Sequence, residues 1–197
     1  MSMHREEPAS FAFSSDNEAR AKAIIAKYPA GRQQSAVMPL LDLAQRQIGG
    51  WLPRIAMDYV ADYLGMPPIK VYEVANFYTM YNVKPVGKNH VQVCTNLPCW
   101  LRGSDQVVHA CKKTLGIGLG ETTKDGQFTL SEVECAGACV NAPVVAINDD
   151  YYEDLDEATI TRVLEALKRG ESPKSGPQNG RLNSAPLGGP TTLKGGA

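Results

Sequence analysis

Long hydrophobic runs are missing from this chain of 197 residues. Its apolar stretches last only a handful of residues, far short of the roughly 20 needed to cross a bilayer. Charge imbalance is missing as well. Twenty Lys and Arg against 21 Asp and Glu leave a net charge of −1, which excludes nucleic acid or an anionic lipid surface as the main electrostatic partner. Histidine is scarce: His4, His90 and His109 stand far apart, and none is beside a plausible nucleophile. The Asp and Glu residues form no motif that marks an acid–base pair. A C-x-x-C motif is absent, which argues against dithiol–disulfide chemistry. The first 16 residues have no apolar core for a secretory signal and carry Glu6, Glu7 and Asp16, which transit peptides tend to exclude. This predicts a chain kept in the cytoplasm, with an imported and processed form as the alternative. If it works at a membrane, other subunits must hold it there.

What is present is enough apolar material, 43% of residues, to bury a real core, in a chain longer than one average domain. Residues 1–15 read as a loosely ordered leader and 16–87 as helices. Ile24, Ile25 and Tyr28 give the first helix an apolar side before Pro29. Ala36 to Ile48 recur at helical spacing up to Gly49-Gly50, with Pro39 either starting or bending that helix. A third helix runs from Pro53 to Gly65, and Pro67-Pro68 opens a fourth. From His90 the pattern changes. His90 to Cys94 alternates as a strand, and Pro98 to Leu115 reads as one helix with Trp100, Val107, Val108, Cys111 and Leu115 on one side. Glu121–Thr123 and Gln127–Val133 form a hairpin about Asp125-Gly126, a dipeptide suited to tight two-residue turns. Val144–Ile147 is an apolar strand, with Tyr151-Tyr152 beside it. Asp154 or Asp156 caps a last helix that ends at Lys168-Arg169-Gly170. The Pro-, Gly- and Ser-rich remainder, 171–197, is expected to be a disordered tail. Tyr72, Phe77, Tyr78 and Tyr81 are expected to pack in the core or between domains, with a partner surface as the minor reading.

Five cysteines in a reducing compartment point to metal or redox chemistry rather than disulfides. Four form two close pairs, Cys94-x4-Cys99 and Cys135-x3-Cys139, separated by 35 residues. Each pair follows a strand. Cys99 falls at a helix start, where unpaired N–H groups and the dipole favour thiolate. Cys135-Ala-Gly-Ala-Cys139 has no bulky side chain, so backbone N–H groups can approach sulfur. Spacing leaves an iron–sulfur cluster and a structural zinc as equal alternatives, although zinc pairs are more often two apart. For a [2Fe–2S] cluster, two ferric ions, two sulfides and four thiolates sum to a charge of minus two. Glu132 and Glu134 sit beside the second pair and only Arg102 offers relief, which predicts a low reduction potential of about −400 mV. Cys111, on an apolar helix stripe, reads as packing. Gly116-Ile-Gly-Leu-Gly120 lies between a helix and a strand, the wrong order for dinucleotide binding.

Val93-Cys-Thr-Asn-Leu-Pro-Cys-Trp-Leu-Arg-Gly103 and Glu132-Val-Glu-Cys-Ala-Gly-Ala-Cys-Val-Asn-Ala-Pro-Val145 closely resemble the 24 kDa subunit family of respiratory complex I. These are the thioredoxin-like [2Fe–2S] ferredoxins of NADH:quinone oxidoreductase. The resemblance covers about 20–170, including Glu121-Thr-Thr123, Asp125-Gly126, Pro53 and Asn76–Tyr81, with Ala136 where the family commonly has Leu. It implies an α+β chain: an N-terminal helical bundle (16–87), then a thioredoxin-like [2Fe–2S] domain (88–170) whose cluster is ligated by Cys94, Cys99, Cys135 and Cys139. It further implies a chain with no complete active site of its own, docked on the FMN- and NADH-binding subunit among other peripheral-arm subunits, on the cytoplasmic face of the inner membrane or the matrix side. The equivalent diaphorase subunit of an NAD-linked hydrogenase or formate dehydrogenase is the alternative. A stand-alone ferredoxin and a zinc-stabilised interaction module are the others.

Overall fold

A computed structural model describes residues 7–189 and 192; His4 and residues 1–6 of the expected leader lie outside them. The chain divides at Val86/Gly87 into two compact units.

The first unit is helical: α1 Ser15–Ile25, α2 Val37–Ile48, α3 Arg54–Leu64 and α4 Pro68–Phe77. A short 3-10 turn, Gln33–Ala36, feeds α2, so Pro39 occupies the first turn, where its missing N–H has no partner to lose. Gly49 and Gly65 end α2 and α3 with φ of 91° and 62°, a region closed to most side chains. Leu40, Leu41, Leu52, Val60 and Val71 fill the core. The leader is not loose throughout. Phe11 and Phe13 stack edge-on with Tyr59, and Phe13 also meets Tyr63. Ser14 then caps α1 by accepting from the Asn17 N–H. The aromatic group splits: Tyr81 is buried and donates to the Met38 carbonyl, whereas Phe77 is 77% exposed.

The second unit is built on a six-stranded sheet in the order β2-β3-β1-β4-β5-β6. The strands are β1 Asn89–Cys94, β2 Glu121–Thr122, β3 Phe128–Val133, β4 Val145–Ile147, β5 Asp150–Glu153 and β6 Gly176–Pro177. β1 runs parallel to β3 and antiparallel to β4. Helices α5 Leu97–Leu101, α6 Ser104–Leu115 and α7 Glu157–Lys168 complete it. Val91, Val93, Leu130 and Val145 from the strands bury against Val107, Ile160 and Leu164 from α6 and α7. Asp156, not Asp154, caps α7: its carboxylate accepts from the Thr159 N–H, and Thr159 Oγ1 accepts from the Asp156 N–H.

Three expectations are corrected. The helix expected from Pro98 to Leu115 is two helices, broken at Gly103 with φ 95°, so Trp100 leaves the apolar stripe and is 53% exposed. The β2–β3 turn is longer than two residues; the Thr123 N–H donates to the Phe128 carbonyl across it, and Gly126 takes positive φ while Asp125 does not. The tail is ordered over its described residues. β6 pairs in parallel with β5, and Arg181 makes a buried ion pair with Asp154. A segment with few large apolar residues needs no core of its own when a sheet edge supplies backbone partners.

His90, half-buried on β1, lies 2.8 Å through Nε2 from Ser131 Oγ on β3. Burial lowers its pKa below the ordinary 6.5. The unfolded imidazole then takes up a proton more readily than the folded one. This residue's contribution is therefore complete above about pH 6.5 and is lost as pH falls below it. His90→Gln, which does not titrate, is expected to flatten the decline of Tm between about pH 7 and pH 5. An equal slope in the variant would remove His90 from the explanation.

Candidate metal centre

The parallel pairing of β1 with β3 places Cys94 beside Val133, so both segments leave the sheet at the same end. Hydrogen bonds extend the alignment past the strands. The Cys94 N–H donates to the Val144 carbonyl and the Thr95 N–H to the Val133 carbonyl. Two side-chain links then tie the outgoing loops together: Thr95 Oγ1 donates to Glu132 at 3.0 Å, and Asn96 Nδ2 to Glu134 at 2.8 Å. Pro98, early in α5, suits a first helical turn, and Cys99 follows it. Cys135 lies two residues beyond the end of β3, and Cys139 opens a short 3-10 turn, Cys139–Asn141.

The four thiols gather as two unlike pairs. Cys94 and Cys99 are each 2% exposed and share a small apolar nest with Ala142 and Val144, edged by Val133, Ala136 and Ala138. A hydrogen bond joins them. Cys135 and Cys139 are exposed, with Sγ atoms 3.3 Å apart. The pairs are neighbours, because Cys139 feels the charge of Cys94, and Cys99 that of Cys139. Burial, then the Cys94 contact, pushes the Cys99 thiol up to about 12, while a backbone hydrogen bond from Val144 acts the other way. The dipole of a five-residue helix does not overcome that burial, which reverses the expectation of a ready thiolate at this position. A hydrogen bond from the Gly137 backbone, together with Cys139, lowers the pKa of Cys135, and Cys139 is raised in return by Cys135. The backbone approach expected from Cys-Ala-Gly-Ala-Cys is therefore present at Gly137.

Such a donor set suits iron or zinc, both of which replace the thiol protons on binding. Two thiolates on one tetrahedral ion, with metal–sulfur bonds of about 2.3 Å, lie about 3.8 Å apart. The outer pair needs to open by only about half an ångström to reach that spacing. Among the described residues, no three His, Cys, Asp or Glu side chains converge to hold one ion.

Cys111 is fully buried between α6 and the sheet, and burial pushes its pKa up to about 12, as befits a packing thiol. Sequence reasoning missed two residues that reach the second loop: Tyr151 donates to the Ala136 carbonyl, and Arg181 to the Val140 carbonyl. No motif marks either, because both come from distant segments. Leu97, Leu101 and Val140, between 61% and 68% exposed, stand with Trp100 on the elements that carry the cysteines. Among the described residues no helix is long and apolar enough to cross a membrane.

The family profile described as thioredoxin-like [2Fe–2S] ferredoxin matches residues 21–168. An NADH-quinone oxidoreductase subunit of Rickettsia conorii is 60% identical over 158 residues, covering 80% of this chain and 95% of that one. The mitochondrial NADH dehydrogenase [ubiquinone] flavoprotein 2 of Dictyostelium discoideum is 52% identical over 183 residues, 93% of this chain and 74% of that protein. Among solved structures, an air-oxidised NAD+-reducing [NiFe]-hydrogenase aligns with a TM-score of 0.60 at 19% identity, over 68% of this chain and 23% of that one, a likeness of fold. With three quarters of its length matched and its four thiols paired at one end of the sheet, this chain belongs to the thioredoxin-like [2Fe–2S] ferredoxin family.

Proposed function

We propose that the chain is the electron-transfer subunit of an NADH:quinone oxidoreductase, holding one [2Fe–2S] cluster on Cys94, Cys99, Cys135 and Cys139. The supporting observation is that the four thiols of the family motif come together as two neighbouring pairs at one end of the sheet. Cys94 and Cys99 would hold the inner iron, and Cys135 and Cys139 the outer one. When bound, the cluster supplies a reversible one-electron site. The protein's share is to exclude water from the inner pair, direct N–H groups from Gly137 and Val144 at sulfur, and keep the outer pair near the surface. FMN and NADH would reside on a partner flavoprotein. Trp100, Leu97, Leu101 and Val140 offer an apolar rim of the kind that docking surfaces bury. Membrane attachment would come through the rest of the assembly, on the cytoplasmic face of the inner membrane or the matrix side.

The test is chemical analysis of the purified chain, followed by co-expression with the flavin-bearing subunit. About two irons and two acid-labile sulfides per chain, with visible absorbance, are expected. Stoichiometric zinc without sulfide would replace the electron-transfer reading with a structural one. A chain that carries the cluster yet never co-purifies with the flavoprotein would instead be a free-standing ferredoxin.

A further inference from the structure

The side chains between Cys135 and Cys139 do nothing to fix the shape of their loop. Ala136, Gly137 and Ala138 have no side chain capable of a hydrogen bond, and the loop lies at the surface. Its outward carbonyls are gripped from two other segments. Tyr151, on β5, donates its hydroxyl to the Ala136 carbonyl at 2.8 Å. Arg181 arrives from the end of the chain, which returns along β5 as β6 and continues the pairing with Gln178 N–H to the Glu153 carbonyl at 2.9 Å. Its guanidinium forks onto Asp154, Nε to Oδ2 at 3.0 Å and Nη2 to Oδ1, while Nη2 also donates to the Val140 carbonyl at 2.9 Å. Both partners of the ion pair are largely covered, Arg181 at 12% and Asp154 at 5% exposure. Asn141, itself buried, completes the joint: Nδ2 donates to Asp154 and to the Asn183 carbonyl, and its own carbonyl accepts from the Asp154 N–H.

A trans peptide points its C=O and N–H in opposite directions. The peptide whose carbonyl Tyr151 holds is the one whose N–H belongs to Gly137, the group that bonds Cys135. Pulling the Ala136 oxygen outward therefore turns the Gly137 N–H inward. Arg181 holds the Val140 carbonyl one residue past Cys139, and the N–H of that same peptide, from Asn141, donates to the Ala138 carbonyl at 2.9 Å, so Arg181 fixes the turn that carries Cys139. We infer that Tyr151 and the C-terminal strap 176–183, through Arg181, are positioning elements for the outer cysteine loop: Tyr151 keeps the Gly137 N–H turned toward Cys135, and Arg181 fixes the turn that carries Cys139. The inference rests on the cluster reading above. It assigns the tail a duty at the redox site and makes that site dependent on Arg181, 42 positions beyond the last cysteine.

The experiment uses the full chain, loaded with cluster, and three variants: Tyr151→Phe, Arg181→Met, and Arg181→Met combined with Asp154→Asn. The double variant removes both charges, so it does not leave a carboxylate stranded in the interior if the single variant misfolds. Iron and sulfide in the wild type are measured first; their absence would defeat the cluster reading and not the strap. With the cluster present, release to a strong chelator is expected to be about 10-fold faster or more in Tyr151→Phe and in the double variant. The EPR line shape should change in both, and the midpoint potential should shift downward in Tyr151→Phe as an oriented N–H is lost from sulfur. Wild-type release rates, line shape and potential in both of these variants would overturn the inference, whatever Arg181→Met does alone.

Discussion

Replacing Cys99 or Cys135 by serine is expected to abolish or distort the EPR signal of the reduced cluster, while Cys111→Ser keeps it. The contrast comes from where each sulfur lies. Cys99 is 2% exposed in a nest lined by Ala142 and Val144, whose side chains cannot replace it as a ligand. A serine hydroxyl there would have to lose its proton in the same apolar surroundings that already push the thiol up to about 12. Cys135 is exposed, so water or the serine oxygen can reach an iron, and a shifted signal with reduced content is the expected form of damage. Cys111 lies in the core formed by α6, α7 and the sheet, a different cluster from the nest that holds Cys94 and Cys99. Its serine variant buries a hydroxyl at a cost of about 1–3 kcal/mol, toward the lower end if the hydroxyl bonds back to a carbonyl of its own helix. Iron and sulfide per chain, read beside the melting temperature, separate the two kinds of loss. A cluster retained in Cys99→Ser and lost in Cys111→Ser would invalidate the ligand assignment.

An EPR-monitored titration is expected to give a midpoint in the region of −400 mV, as for plant-type ferredoxins. Reduction takes the centre from a charge of minus two to minus three. The structure keeps Glu132 and Glu134 close by tying them to Thr95 and Asn96 on the facing loop. The cation that the sequence did not advertise, Arg181, is engaged by Asp154, so the pair brings no net positive charge. Hydrogen bonds from Gly137 and Val144 oppose this by stabilising the more reduced sulfur, but these are dipoles against full charges. Glu134→Gln removes one carboxylate beside Cys135. A charge a few ångströms away in a solvent-exposed loop is worth about 1 kcal/mol, which for one electron is about 40 mV upward. A wild-type midpoint above zero would show that acidic neighbours do not dominate this site.

The pairing of the cysteines, the strand before each pair and the burial of Cys111 on its helix stripe were all legible along the chain, because each depends on residues a few positions apart. Helix limits at Gly49 and Gly65 were legible for the same reason: a glycine that must take positive φ announces the end of a helix. The break at Gly103 was not. Apolar spacing continued across it, and only the need to turn Cys99 into the nest while α6 lies on the sheet explains two helices instead of one. The state of Cys99 was misjudged because a helix start is a local feature and burial is not.

Composition and spacing decided which atoms are available: four thiols in two pairs, small residues between the outer two, acidic neighbours, and no long apolar run. They could do so because ligand chemistry and local backbone freedom belong to residue types. Which pair lies inside and which outside, and that Tyr151 and Arg181 hold the outer loop, came from the fold alone. Burial and long-range hydrogen bonds depend on which distant segments meet, and the pairing of β1 with β3 and of β5 with β6 sets those meetings.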